Sequence, residues 1–321
     1  GFVLQSPDNQ IVTDKVWHEL AFGLESLGLP SGEIRARVAE MASYFDIQNW
    51  FHKNVSELSG GQKQLLNLAS VMAMGVSVLI LDEPTSQLDP ISAFEFLETV
   101  SKINRDFGTT IILTEHRLEE VFPMSDRVIV MDGGRIIADG CPGSVGEYLK
   151  KMNHDMVAAL PTPMRIYGGI PDGGEICPIT VREGRKWLEA YAENHPLNSN
   201  LIPLPGEEPD RPPYIQLSDL WFRYEREQED VIKGLSATIF EGELFAIVGG
   251  NGSGKTTALS VIAGLLKPHS GTISIKGQKL TQNRNIPWSV LPQNPQALFV
   301  KNTVSLDLAE VLKDQKLKKE E

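Results

Sequence analysis

Eight consecutive residues, Gly249-Gly250-Asn251-Gly252-Ser253-Gly254-Lys255-Thr256, have the types and spacing to hold a polyphosphate. They fit the pattern G-x-x-x-x-G-K-[ST]. Glycines let successive backbone N–H groups turn inward around phosphate oxygens. Leu244-Phe245-Ala246-Ile247-Val248, just before, predicts a short buried strand, and Thr257 to Ala263, just after, predicts the first turns of a helix. The N-terminus of that helix adds partial positive charge. Lys255 is suited to reach β- and γ-phosphates, and the Thr256 hydroxyl to ligate Mg²⁺. The plainer alternative is a glycine-rich turn carrying a surface lysine. The flanking strand and helix favour the phosphate reading.

A second set of chemical residues lies far upstream. Ser77-Val78-Leu79-Ile80-Leu81 predicts a short buried strand that ends in Asp82-Glu83-Pro84-Thr85. Two carboxylates at the end of a buried strand are costly unless they hold a cation or activate water. In a nucleotide hydrolase the first serves the Mg²⁺ shell and the second polarises the attacking water. Thr109 to Leu113 predicts another strand, of β-branched character, ending at Thr114-Glu115-His116. His116 is either structural or a γ-phosphate contact. Between Phe45 and the Asp82 strand, Leu58-Ser59-Gly60-Gly61-Gln62 leads into a helix from about Lys63 to Met74. Its small residues expose N–H groups at a helix start, which is either a cap or an anion site.

These residues need elements to position them. Helices are predicted over about 14–27 and 31–45, the second with Ser31 as its N-cap and Glu33 in its first turn. Ile34, Val38, Met41 and Phe45 share one face of it and should meet a core. Ser86-Gln87-Leu88-Asp89-Pro90 is a tight turn, with Pro90 suited to the first turn of a helix reaching about Phe107. Strands near 127–131 and 135–138 flank Asp132-Gly133-Gly134, a hairpin signal, and a helix over about 143–152 follows. Prolines and glycines are dense from about 153 to 212, which predicts a linker holding one helix, about Val181 to Asn194. The strand pattern restarts at Tyr214 to Phe222, and Val231 to Glu243 predicts a strand pair. Tyr224 suits stacking on an adenine ring; it also suits an ordinary sheet-edge aromatic. Strands are predicted near 272–275 and 286–291. Pro292-Gln293-Asn294-Pro295-Gln296 then echoes Gln5-Ser6-Pro7-Asp8-Asn9-Gln10, an internal repeat spaced by nearly a domain.

The bulk numbers bound the class. At 321 residues the chain has room for about two domains with sizeable cores. A formal net charge of −12 argues against a general nucleic-acid binder. Two cysteines, Cys141 and Cys177, without a C-x-x-C, fit a reducing compartment. No apolar run approaches the roughly 18 residues that span a bilayer, so any membrane link would come through a partner. A start at Gly1 in what reads as mid-domain strand suggests a piece of a longer protein.

The motifs together resemble the ATP-binding cassette ATPases. Gly249–Thr256 looks like the Walker A loop, Leu58–Gln62 like the signature, Val78–Glu83 like Walker B, Ser86–Asp89 like the D-loop, and His116 like the switch histidine. The form of the Gln5 turn, and two cassettes joined through a Pro-rich linker, look most like energy-coupling-factor (cobalt-type) importers of vitamins and metal ions. The resemblance implies an α/β P-loop NTPase with a mainly parallel core sheet, an antiparallel β subdomain and a helical subdomain. It also implies ATP and Mg²⁺ as ligands. Catalytic roles would fall to Glu83, His116 and Lys255. ATP contacts would come from Tyr224, Gly249, Asn251, Gly252, Ser253, Gly254, Lys255, Thr256 and Thr257, and from Ser59, Gly60, Gly61 and Gln62. The metal would draw on Thr256, Gln293, Asp82 and Gln5. Implied partners are a transmembrane subunit, a substrate-binding membrane subunit and a second ATPase domain, with no nucleic acid, at the cytoplasmic face of the membrane.

The order departs from the family. A cassette runs from Walker A to histidine, whereas here the part from the Gln5 turn, which looks like the family's Q-loop, to the histidine comes first. Residues 1–152 would be the back of a first cassette, 153–212 a linker with a small helical insert, and 213–321 the front of a second. In the family two cassettes sandwich ATP head to tail. On that plan Lys255 and the Ser59–Gln62 turn share one composite site, and Asp82, Glu83 and His116 belong to the other. The order is also a circular permutation of one cassette, which would unite these residues in cis. Rival readings are a soluble, non-transport cassette ATPase and a truncated nucleotide-binding module without turnover.

Overall fold

A computed structural model describes residues 1–170, 176–195, 211–280, 289–294 and 298–314. The chain divides into two compact units, Gly1–Gly206 and Glu207–Glu321.

The first unit is built on a three-stranded parallel sheet. Its strands are β1 (Phe2–Val3), β2 (Val78–Asp82) and β3 (Thr110–Thr114), with β2 in the middle. The helices α1 (Val16–Ser26), α2 (Ser31–Tyr44) and α3 (Gly60–Ala73) lie between β1 and β2 in sequence, and α4 (Pro90–Phe107) between β2 and β3. Parallel strands need such crossovers. Val38, Met41 and Phe45 are buried and Ile34 packs against the same core, as their spacing predicts. The N-cap of α2 is Pro30 rather than Ser31, and no side chain caps it. β2 is not buried on both faces. Leu79 and Leu81 are fully buried, while Val78 and Ile80 are 42% and 37% exposed. Strand side chains alternate, and the helical cluster meets one face of the sheet only.

A satellite cluster follows. The helix α5 (Leu118–Met124) precedes the hairpin of β4 (Val128–Asp132) and β5 (Arg135–Gly140). Gly133 and Gly134 both have positive φ, as a tight hairpin turn requires. Then come α6 (Pro142–Lys151), α7 (Thr162–Gly168) and α8 (Val181–Asn194). The described part of the proline-rich stretch is more structured than its composition predicts. Pro161 is the N-cap of α7 and Pro163 lies in its first turn, where a missing N–H costs nothing. Leu160, Met164, Tyr167 and Cys177 are buried with Val130, Ala138 and Leu149.

The second unit holds an antiparallel sheet of β6 (Pro213–Phe222), β7 (Ile232–Phe240), β8 (Ser270–Ile275) and β9 (Gln278–Lys279), in the order β7-β6-β8-β9. The helix α9 (Lys255–Ile262) covers it through Ala258 and Val261, and α10 (Val304–Asp314) follows. Two expectations are corrected. Residues 231–243 give the single strand β7, not a pair. Leu244–Val248 form no strand, and Leu244 and Val248 are 94% and 88% exposed. A parallel strand needs a parallel ladder, and the sheet of this unit is antiparallel throughout. Of the strand predicted near 286–291, residues 286–288 lie outside the described residues and 289–291 are irregular.

Candidate nucleotide site

In the second unit the phosphate-loop residues wrap the start of α9. Gly254 is its N-cap with φ +87°, and Gly252 has φ +78°. A Cβ on Gly254 would lie 3.2 Å from the Val231 carbonyl oxygen, so the position demands glycine on both counts. Lys255 Nζ donates to the carbonyl oxygens of Gly249 and Gly250 at 2.8 and 2.6 Å. The ammonium thus rests on the loop's own acceptors, which anionic oxygens would replace. Asn251, Ser253 and Thr256 are exposed. Thr257 is buried, and its hydroxyl is 3.0 Å from the Tyr224 hydroxyl. The Tyr224 ring stands edge-on to Phe222 at 5.1 Å and is otherwise open, at 59% exposure. One end of the ring is therefore anchored to α9, and the ring remains accessible. Gln293 is exposed in irregular chain; Pro295 and Gln296, its partners in the repeat, lie outside the described residues.

In the first unit the ends of β2 and β3 bring four predicted residues together. Asp82 pairs in register with Thr114, whose hydroxyl donates to Asp82 Oδ1 at 2.8 Å. The Glu83 N–H donates to the Thr114 carbonyl at 3.1 Å, extending the ladder by one residue. Glu83 then turns with φ +43°, a strained value for a residue with a side chain. Its carboxylate is shared: His116 Nε2 is 2.8 Å from Oε1, and Gln5 Nε2 donates to Oε2 at 2.9 Å.

The turn carrying Gln5 is held by α3. Gln64 Nε2 donates to the Leu4 carbonyl at 3.0 Å, Asn67 Nδ2 to the Pro7 carbonyl at 3.3 Å, and Lys63 pairs with Asp8 at 2.6 Å. Ser59 caps α3: its hydroxyl accepts the Gln62 N–H at 3.2 Å, and Gln62 Oε1 accepts the Ser59 N–H at 3.0 Å. This is the reciprocal capping box. A Cβ on Gly61 would lie 3.1 Å from Ser92, so Gly61 admits the start of α4; Gly60 has open space around it. Ser92 Oγ donates to Asp89, the α4 N-cap, at 2.9 Å.

Sequence alone does not single out Glu115, Gln64 or Asn67. Glu115 carries the same signal as Asp82 and Glu83, a carboxylate where a strand ends. Gln64 and Asn67 are polar residues on the buried face of an amphipathic helix, and such residues need partners.

The donor set fits the expected ligands. The exposed Asp82 carboxylate in the first unit and, separately, the exposed Thr256 hydroxyl in the second each offer a hard oxygen atom of the kind Mg²⁺ prefers. The amine and backbone of the glycine loop suit polyphosphate.

Comparison with known proteins agrees. The family model described as ABC transporter matches residues 2–86 and 232–319, just over half of the chain. An ABC transporter ATP-binding protein, provisionally so named, from Bacillus thuringiensis subsp. konkukian is 38% identical over 308 residues, covering 95% of this chain and 55% of its own length. A Bacillus subtilis relative, provisionally named an HMP/thiamine import ATP-binding protein, YkoD, is 33% identical over 309 residues, covering 95% and 54%. The solved structure of cbiO1 from Clostridium perfringens, described as part of the ABC transporter complex cbiONQ, is 34% identical with a TM-score of 0.44, covering 52% of this chain and 66% of that one. The chain spans about half the length of the curated relatives it matches. With its α/β P-loop fold, the chain belongs to the ATP-binding proteins of the ABC transporter family.

Proposed function

We propose that this chain supplies ATP-binding and hydrolytic parts of an importer's motor. The observation that carries the reading is the Glu83 carboxylate, held by Gln5 and His116 beside Asp82. Glu83 polarises the attacking water, His116 contacts the γ-phosphate, and Lys255 with the loop N–H groups binds phosphates. Ser59, Gly60, Gly61 and Gln62 complete a composite site. Tyr224 stacks on the base. Asp82, Gln5, Thr256 and Gln293 would serve Mg²⁺, which supplies charge neutralisation at the phosphates. Asp82, Tyr224 and Thr256 are exposed, and the Glu83 carboxylate is bonded only to side chains that a ligand can displace.

The test is Mg-ATP binding and turnover by the purified chain. Glu83→Gln should bind ATP while hydrolysing it at least 100-fold more slowly, the range for loss of a general base. Lys255→Ala should lose binding. ATP binding that survives Lys255→Ala, or turnover that survives Glu83→Gln, rejects the assignment.

The importer reading adds a substrate class, vitamins or metal ions, and membrane subunits that carry it. It is supported by the relative named for HMP/thiamine import and by the form of the Gln5 turn. No described helix is long and apolar enough to cross a membrane, so attachment would run through those subunits at the cytoplasmic face. Uptake of labelled thiamine precursor or of Co²⁺ into vesicles should require ATP and fail with Glu83→Gln. Equal uptake with and without the variant removes this reading.

A further inference from the structure

The geometry points to Glu115 as a positioning residue that clamps the turn after β2 to the turn after β3, and so keeps Glu83 within hydrogen-bonding reach of His116. The assignment rests on the reading of Glu83 and His116 as the hydrolytic pair.

β2 and β3 stop together, at the Asp82–Thr114 pair, and the backbone ladder runs one bond further. Beyond that point two irregular turns diverge, each carrying one member of the pair. What joins them is largely the Glu115 carboxylate. Oε1 accepts the Thr85 N–H at 3.1 Å and also the Thr85 hydroxyl. Oε2 accepts the N–H of His116 at 2.9 Å and that of Arg117 at 3.4 Å. Arg117 Nη2 adds a bond to the Leu88 carbonyl at 3.4 Å. Thr85 is fully buried, so its donors have no water to turn to. Charge-assisted bonds of this type are the strong ones.

Two features separate Glu115 from its neighbour Glu83. Both oxygens of Glu115 are engaged by the two turns, three of its four donors being backbone N–H groups, which leaves it unsuited to take a proton from water. Both side-chain partners of Glu83 are themselves side chains, which can swing away when a ligand claims them. Glu83 also holds φ +43°, and a left-handed residue of this type persists only where its surroundings fix it. Thr85, two residues on, is the anchor on one side, and the Thr114 hydroxyl and carbonyl are the anchors on the other. Glu115 fixes the first of these anchors and, through its own chain neighbours, His116.

The test reads the His116 ring directly and does not depend on turnover. Long-range ¹H–¹⁵N spectra of the full chain, with His116→Gln to assign the line, report hydrogen bonding at Nε2. Glu115→Gln keeps the size but replaces one acceptor oxygen by a donor, and should move the His116 Nε2 line by several ppm, in the same direction as Glu83→Gln does. Thr85→Val removes one donor, leaves the charge in place, and should move the line by a smaller amount. The line of His52, an exposed histidine between α2 and α3, should stay where it is in all three, with a cooperative thermal transition retained. A His116 line that stays in place in folded Glu115→Gln overturns the proposal. Should Glu115→Gln not fold, an unmoved line in Thr85→Val overturns it. Failure of Glu83 as the hydrolytic base would show instead as turnover surviving Glu83→Gln, with the NMR shifts unaffected.

Discussion

His116 Nε2 lies 2.8 Å from Glu83 Oε1, so the imidazole shares the carboxylate with the Gln5 amide on its other oxygen. Both partners are groups to which the proposed function gives other work once ATP is bound: the imidazole on the γ-phosphate, the amide on the metal shell. On the proposed roles, nucleotide binding would draw both partners away and free the carboxylate. His116→Ala should lower turnover by about 100-fold, within the range of a positioned acid–base group. On the proposed roles ATP affinity should change little, because the phosphate contacts are assigned to Lys255 and the glycine loop. Paired measurement of kcat and ATP Kd decides it; a large loss of affinity would assign His116 to ground-state binding instead.

The glycine loop gives a second prediction. Gly254→Ala places a Cβ at φ +87° and 3.2 Å from the Val231 carbonyl. A left-handed alanine costs about 1–2 kcal/mol. The collision adds to this unless the loop shifts away from Val231, and the shift would misdirect the N–H groups. Expected is a drop of several degrees in melting temperature together with at least tenfold weaker ATP binding. Gly60→Ala, in open space at the start of α3, should leave the melting temperature within a degree or two. Differential scanning fluorimetry with and without ATP separates the two.

Legibility followed the range of the determining interactions. α8 is legible to its ends because a local capping box, Thr180 with Glu183, sets its start and helix formers dominate the rest despite Gly184. The β4–β5 hairpin was equally local, since Gly133 and Gly134 define the turn. α5 and α7 are poorly marked because each contains a proline, Pro123 and Pro163, and proline reads as a breaker until its place in the helix is known. Leu244–Val248 shows the opposite failure. Its residues favour a strand, but strand formation depends on a partner, which no local pattern reports. Of the site, Lys255, Glu83 and His116 stand out by motif, whereas Glu115 acts through backbone groups of two turns that only the fold brings side by side.

The two thiols should differ sharply in reactivity. Cys141 is exposed, and the Ser144 hydroxyl beside it at 3.0 Å draws its pKa below the ordinary thiol value. Burial pushes the Cys177 thiol up to about 12. At pH 7.5 iodoacetamide should label Cys141 within minutes and Cys177 only in denaturant, since the thiolate is the reacting form. Ser144→Ala should slow labelling of Cys141 a fewfold. Mass spectrometry of the two cysteine peptides tests this, and equal labelling in the native state would refute the buried placement of Cys177.

Asp230 ties three strand ends together near Tyr224. Its Oδ1 lies 2.7 Å from His269 Nε2 and 3.0 Å from Arg223 Nε. The hydrogen bond from His269, and then the Arg223 charge, hold its carboxyl below the usual value. A carboxylate whose pKa is depressed by folding contributes stability that is present above its unfolded pKa, roughly 3.9, and is lost as pH falls through the folded value. Asp230→Asn should therefore lower the melting temperature at pH 6–7, and the gap to wild type should close as pH drops below about 4. The same loop carries Tyr224, so on its proposed stacking role the variant should also weaken binding of ATP more than of inorganic triphosphate, which has no base. A gap in melting temperature independent of pH would mean that Asp230 acts through shape and not through charge. Equal loss of both ligands would move its influence from the base platform to the glycine loop.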